Sequence, residues 1–207
     1  FIVNNNHVNF GAPGSMVAGI PSGVGVLIMA ADEVIVEGNI ITGNKTAGVI
    51  ITDHHLPSKQ LPKAVAIVNP NQSGDVFESK NLAGVGVVFY LMLALKQSLT
   101  SLNYFNEKQI PPPNIVRWLD LVALGTVADV VPLDSNNRIL VEQGLRRIRA
   151  GQCSAGVMSL LRVAKKDHKQ SCSQDLGFAC GPRLNAAGRL DDMSLGIECL
   201  LTDSLDV

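Results

Sequence analysis

Apolar positions along the chain fall into two textures that meet near residue 50. In the first fifty residues, short β-branched runs alternate with turns rich in Asn and Gly, a pattern of brief strands. Gly25-Val-Leu-Ile28 returns as Gly48-Val-Ile-Ile51, a shift of 23 residues, and Ile2-Val-Asn-Asn-Asn6 is echoed by Ile35-Val-Glu-Gly-Asn39. Such a period with Asn at the turns has the form of coils in a right-handed parallel β-helix, where each coil needs neighbours to bury its apolar face.

From Thr52 the pattern changes to alternating strands and helices. Ala47–Thr52 reads as a buried strand ending in Asp53-His54-His55, and Ala64–Asn69 as a second strand stopped by Asn69-Pro70-Asn71. Leu82–Leu99 reads as a strongly apolar helix. Pro111–Pro113, with Asn114 as N-cap, opens another helix through Trp118 and Leu124. Asn136–Ala150 is amphipathic, with Ile139, Leu140, Leu145 and Ile148 on the apolar side and Arg138, Glu142 and Arg146 at i, i+4 spacing. Ala155–Ala164, Gln174–Ala179 and Met193–Leu201 complete a helix-rich second half. The order predicts an α/β fold, a parallel sheet with flanking helices whose site lies at the carboxyl edge, preceded by a β-rich, β-helix-like segment over 1–50.

Composition narrows the class. With 46% hydrophobic and 17% charged residues, the chain suits one or two globular domains. Val24–Ala31 and Leu82–Leu95 are its longest apolar runs, both shorter than the ~20 residues of a membrane span. No secretory leader is evident. Cys153, Cys172, Cys180 and Cys199 form no CxxC pair, which points to free thiols and a cytoplasmic setting. A start at Phe1 and an end just after a helix suggest a fragment. Charge is uneven: Ser135–Arg189 holds ten Lys or Arg against three acids, a balance suited to a polyanionic partner or to an ordinary solvated helix face.

Three groups of residues carry candidate chemistry. Asp53-His54-His55 follows a strand directly, and on extended chain neighbouring imidazoles point to opposite faces. One could bind a metal while the other addresses substrate, with Asp53 holding a ring nitrogen; alternatively, the pair sits at the surface. Asp129 is a single acid between Leu121 and Leu133, so a buried carboxylate there needs a cation or hydrogen bonds, while a helix-end cap is the alternative. Arg183, Asn185 and Arg189 lie in Gly181-Pro-Arg-Leu-Asn-Ala-Ala-Gly-Arg189, where guanidinium forks and exposed amides on a closely approachable backbone suit phosphate. Pairing of these arginines with Asp191 and Asp192 is the competing reading.

Five blocks in order resemble one family. ITDHHLP at Ile51–Pro57, IVNPNQ at Ile67–Gln72, LAGVGVVFYLMLAL at Leu82–Leu95, DLVALGTVADVVPLDSNNRILVEQGL at Asp120–Leu145 and DLGFACGPRLNAAGRLDDM at Asp175–Met193 are similar to the RecJ-type single-strand-specific exonucleases of the DHH phosphoesterase superfamily. The resemblance implies a partial DHH core and helical connector over 51–207, and degradation of single-stranded DNA from the 5′ end in repair or recombination. It implies two Mn²⁺ or Mg²⁺ ions and, besides DNA, single-strand-binding or repair proteins as partners. By motif, His54 and Asp129 resemble metal ligands, His55 the histidine facing the scissile phosphate with Asp53 beside it, and Arg183, Asn185 and Arg189 the holders of the DNA backbone.

The family also has FDADG-like and VDNG-like aspartate motifs ahead of DHH, and neither occurs here. The acids before Asp53 are Asp32, Glu33 and Glu37. A fusion or chimaeric junction near Ala47–Thr52 would explain this, and the polypeptide alone is expected to be a poor nuclease. Other DHH phosphoesterases share the central motif: oligoribonuclease, cyclic-dinucleotide phosphodiesterase and family II pyrophosphatase. A non-catalytic nucleic-acid-binding fragment is the alternative from another class. A carbohydrate-active β-helix ranks last, because 1–48 offers no usable carboxylate pair.

Overall fold

Val49, Ile50, Ile51 and Thr52 are β-branched, and the run they close forms the middle strand of a parallel sheet in a computed structural model of the chain. The structure describes residues 2–3, 24–29, 41–42, 47–62, 64–188 and 194–204. Strands β1 (Ile2–Val3) and β3 (Ile41–Thr42) pair in parallel, while β2 (Val24–Met29), β4 (Ala47–Thr52) and β5 (Ala66–Val68) form a three-stranded sheet in the order β2-β4-β5. Helices α1 (Gly84–Ser101), α2 (Tyr104–Glu107), α3 (Leu119–Ala128), α4 (Ser135–Arg149), α5 (Ala155–Val163), α6 (Ser173–Asp175), α7 (Gly181–Gly188) and α8 (Ser194–Leu201) follow. A small parallel sheet followed by helices is the α/β architecture that the alternation predicted.

The internal repeat has a structural counterpart. Val24 pairs with Ala47, Ile28 with Ile51 and Met29 with Thr52, the same 23-residue shift that relates the two sequence runs. The similar runs are neighbouring parallel strands, so β2 belongs to the sheet that carries Asp53-His54-His55. The coil-by-coil arrangement expected of a β-helix falls largely on residues outside the described ones.

The chain divides into two compact units. The first comprises Phe1–Lys80 and Val87–Asn114, the second Asn81–Gly86 and Ile115–Val207. The boundary drawn from texture near residue 50 therefore lies within the first unit and inside β4. In that unit, α1 continues beyond the apolar run into Lys96, Gln97, Ser98 and Thr100. Length and composition alone would let its 18 residues cross a membrane. Val87, Val88, Phe89 and Met92 are buried, and a third of the helix is buried in all.

The second unit is organised around α3 and α4. Ala123, Leu124, Val141, Leu145, Ile148, Val157, Leu161, Leu176 and Cys180 form one buried cluster. A side chain at Gly144 would overlap the Leu119 carbonyl oxygen, so glycine allows α4 to lie directly on α3. Asp134 caps α4 by accepting the Asn137 amide at 2.9 Å, and Asn137 ties Asn81 O and Pro132 O to that start at 2.7 and 2.9 Å. The expected apolar side is corrected at one position: Ile139 is 60% exposed, and Val141 is buried.

Candidate active site

Thr52 closes β4 as a buried residue, and the Asp53 amide still donates to Val68 O on β5 at 3.1 Å. There the extended chain stops. Asp53 Oδ1 accepts the amides of His54 (2.7 Å) and His55 (3.2 Å) and lies 2.8 Å from His55 Nδ1. A carboxylate that folds back on the next two amides makes a turn, as Asp readily does after a strand. The two imidazoles consequently do not point to opposite faces. Their centroids are 4.2 Å apart with planes at 47°, and ligand-type atoms of Asp53, His54 and His55 all lie within 4.8 Å of one another. Partial burial raises the Asp53 carboxyl, but the His55 side chain and the two amides more than offset this and hold it below the usual carboxylate range.

A second loop also fixes this turn. The buried Asn69 donates Nδ2 to His55 O at 2.9 Å and accepts the Asn71 amide at 2.8 Å. Asn71 Nδ2 donates to His54 O at 2.6 Å and to Lys80 O at 3.1 Å. Lys80 Nζ in turn donates to Pro70 O (2.6 Å) and Asp75 O (2.9 Å). Two side-chain amides thus hold the carbonyls of the two adjacent histidines. From sequence, Asn69-Pro70-Asn71 reads only as a strand stop. The missed signal is paired carboxamides on a short loop following a neighbouring parallel strand, where side-chain donors can reach backbone acceptors.

Asp129 belongs to the second unit, as the C-cap of α3, with its amide on Gly125 O at 3.0 Å. It is exposed at a helix end, which is the second of the two readings of this acid and not a carboxylate buried among Val and Leu. Helix α3 stops at Ala128, and Val130 takes a left-handed φ of 59°, so the acid stands at a helix end rather than within packed chain. Among the described residues the fully buried acid is Asp120, in the first turn of the same helix. Its Oδ2 accepts the Ser154 amide at 2.6 Å, at the N-cap of α5. Burial, with the Asp120 charge second, pushes the Cys153 thiol up to about 11.

The Gly181–Gly188 block is helical, so its amides belong to a helix rather than to an open phosphate-binding loop. What it offers outward are the exposed Arg183 and Asn185 side chains. Arg183 Nη1 donates to Ala179 O at 2.6 Å. Arg189, Asp191 and Asp192 lie outside the described residues. Part of the basic block has internal work: Arg146 on Glu142, Arg147 on Gln152 O, Arg149 on Ser171 O and Lys166 on Asp175. Asp32 and Glu33, just beyond the end of β2 in sequence, are likewise outside the described residues.

Residues 21–126 match the DHH family, N-terminal domain, starting well before the textural boundary at 50. The single-stranded-DNA-specific exonuclease RecJ of Salmonella typhimurium is 58% identical over 181 residues, covering 86% of this chain and 31% of that protein. The crystal structure of exonuclease RecJ bound to manganese superimposes with a TM-score of 0.61 at 36% identity, over 76% of this chain and 36% of that one. The structure of RecJ in complex with Mg²⁺ from Thermus thermophilus gives 0.61 at 32% identity, over 90% and 24%. The chain therefore spans about a third of the length of the curated relative it matches.

Proposed function

This chain belongs to the DHH family, and we propose that it carries part of the site of a metal-dependent phosphodiesterase that degrades single-stranded DNA from the 5′ end. The observation that carries the reading is the Asp53-His54-His55 turn at the carboxyl end of β4, with three ligand-type groups within 4.8 Å. Imidazole nitrogen together with carboxylate oxygen fits Mn²⁺ well and Mg²⁺ less well, because Mg²⁺ favours an all-oxygen set. His54 is the proposed ligand from this turn and Asp129 a further ligand. Bound there, the ion supplies Lewis-acid stabilisation to phosphoryl transfer.

The chain's own residues do the positioning. Asp53 receives the His55 ring nitrogen and so sets which face that imidazole presents. His55 addresses the scissile phosphate, and Arg183, Asn185 and Arg189 take backbone phosphates of the strand. DNA is favoured over pyrophosphate or a dinucleotide by the basic excess of Ser135–Arg189 and by identity to RecJ proteins over most of the chain. Single-strand-binding and repair proteins are the proposed protein partners.

The test combines Mn²⁺ titration by calorimetry with assays on 5′-labelled single strands, linear dinucleotide and pyrophosphate. His54→Ala is expected to abolish Mn²⁺ binding. Asp53→Asn is expected to retain it while lowering mononucleotide release, measured in a chain that carries the upstream aspartate motifs, about 10- to 100-fold, in line with the cost of losing a residue that orients a site imidazole. Faster hydrolysis of dinucleotide or pyrophosphate than of the strand would overturn the substrate assignment. Mn²⁺ affinity unchanged in His54→Ala would overturn the site.

A further inference from the structure

Phe178 is among the most exposed large apolar side chains of the described residues in the second unit. It sits in a π-helical turn, Leu176–Cys180, inserted between α6 and α7. Around it Leu176 and Cys180 are fully buried and Ala179 nearly so, whereas Phe178 is 84% exposed. A π turn carries one extra residue per turn, which re-aims side chains, and such turns recur at functional sites. This one is seated on the last turn of α3. A Cβ on Gly177 would stand 3.0 Å from Val127 Cγ1, and one on Gly181 would stand 3.6 Å from Ala128 Cβ. The residue that follows Ala128 is Asp129.

Cations make contacts on either side of Phe178 along the chain. The Arg183 fork lies back on Ala179 O at 2.6 Å, the carbonyl of the residue after Phe178. Lys166 pairs with Asp175 at 2.9 Å, immediately ahead of the π turn, and remains half exposed. An exposed aromatic side chain next in the chain to a carbonyl held by a guanidinium suits a ligand with both a flat ring and a negative charge. Single-stranded nucleic acid has both at every nucleotide, whereas duplex bases are already stacked on one another.

We propose that Phe178 is a stacking platform for one base of the single strand whose backbone phosphate Arg183 takes. This rests on the reading of the chain as a single-strand-processing DHH protein and adds a base-contacting residue to it. Because every base has a π face, the contact would set the strand's register beside the end of α3 without selecting sequence.

Anisotropy of labelled oligothymidylate, and of the same oligomer with abasic sugars, tests this with the purified protein. Phe178→Ala is expected to weaken binding of the normal strand about 5- to 100-fold, the range of one base–aromatic stack. Its slope of log affinity against log salt should stay as in the wild type, since no phosphate contact is removed. The abasic strand should bind wild type and Phe178→Ala equally. Phe178→Trp should keep the affinity, with indole emission quenched by the normal strand beyond the Trp118 background. Equal affinity of wild type and Phe178→Ala for the normal strand would overturn the proposal, as would an equal loss on both strands. Unchanged DNA binding with a lowered melting temperature would also overturn it and assign Phe178 to a protein contact. Failure of the wild type to bind either strand would remove the single-strand reading itself. Salt-dependent binding that ignores Phe178 would remove only the stacking.

Discussion

The histidine turn of the first unit and the α3–α4 core of the second are held together by different physics. Around Asp53, His54 and His55 the contacts are polar and directional: a carboxylate on two amides and a ring nitrogen, and two asparagines on two carbonyls. Around Ile148 and Leu161 they are apolar and close-packed, with glycine where the helices touch. Hydrogen bonds fix orientation at modest net stability, roughly 1 kcal/mol each, whereas burying a Leu or Ile side chain contributes about 1.5–3 kcal/mol without fixing a donor's direction. The site is thus built where geometry matters and the core where stability does.

Substitutions should separate the two. Leu161→Ala empties a fully buried position and is expected to lower unfolding free energy by about 2–5 kcal/mol in urea titration, with little change in Mn²⁺ affinity of the folded fraction. Asn71→Ala should do the reverse. Its expected stability cost is about 1–2 kcal/mol, yet Mn²⁺ affinity should fall about 10- to 100-fold by calorimetry, because His54 loses the anchor of its carbonyl. Equal effects on both readouts in the two variants would erase the distinction.

Smaller effects probe the surface of the second unit. Arg183→Ala should lower the slope of log affinity against log salt for single strands by about 0.7, as expected for one lost phosphate contact. Arg183→Lys, which keeps charge but loses the fork, should recover the slope with only part of the affinity. Glu142→Gln should cost at most about 0.5 kcal/mol at neutral pH, since its hydrogen-bond partner Arg146 is exposed and Arg149 is at 3.5 Å. The Arg146 hydrogen bond, against a small burial effect, holds the Glu142 carboxyl below its ordinary value. A depressed folded-state pKa stabilises above the unfolded value and is lost as pH falls, so wild type and Glu142→Gln should converge in acid.

The sequence by itself determined the elements that depend on local pattern. A continuous apolar run marked β4, and apolar runs with helical spacing marked α1, α4 and α5 to within a few residues; the 23-residue repeat, read as β-helix coils, is the shift at which β2 and β4 pair. It also marked Asp53-His54-His55, because a strand that runs directly into ionisable residues announces a sheet edge. Tertiary structure decided what neighbours impose. Alternation along an extended chain predicted diverging imidazoles, but the Asp53 carboxylate captured two amides and turned the backbone, and the rings came together. Asn69 and Asn71 read as turn formers until the fold brought a second loop to the histidines. Asp120 and Asp129 look alike in sequence, each an acid beside a run of Val, Leu and Ala; only packing buried the first and left the second at the surface. Local pattern reports a residue's own periodicity, whereas burial and hydrogen-bond direction depend on groups distant in the chain, which spacing does not record.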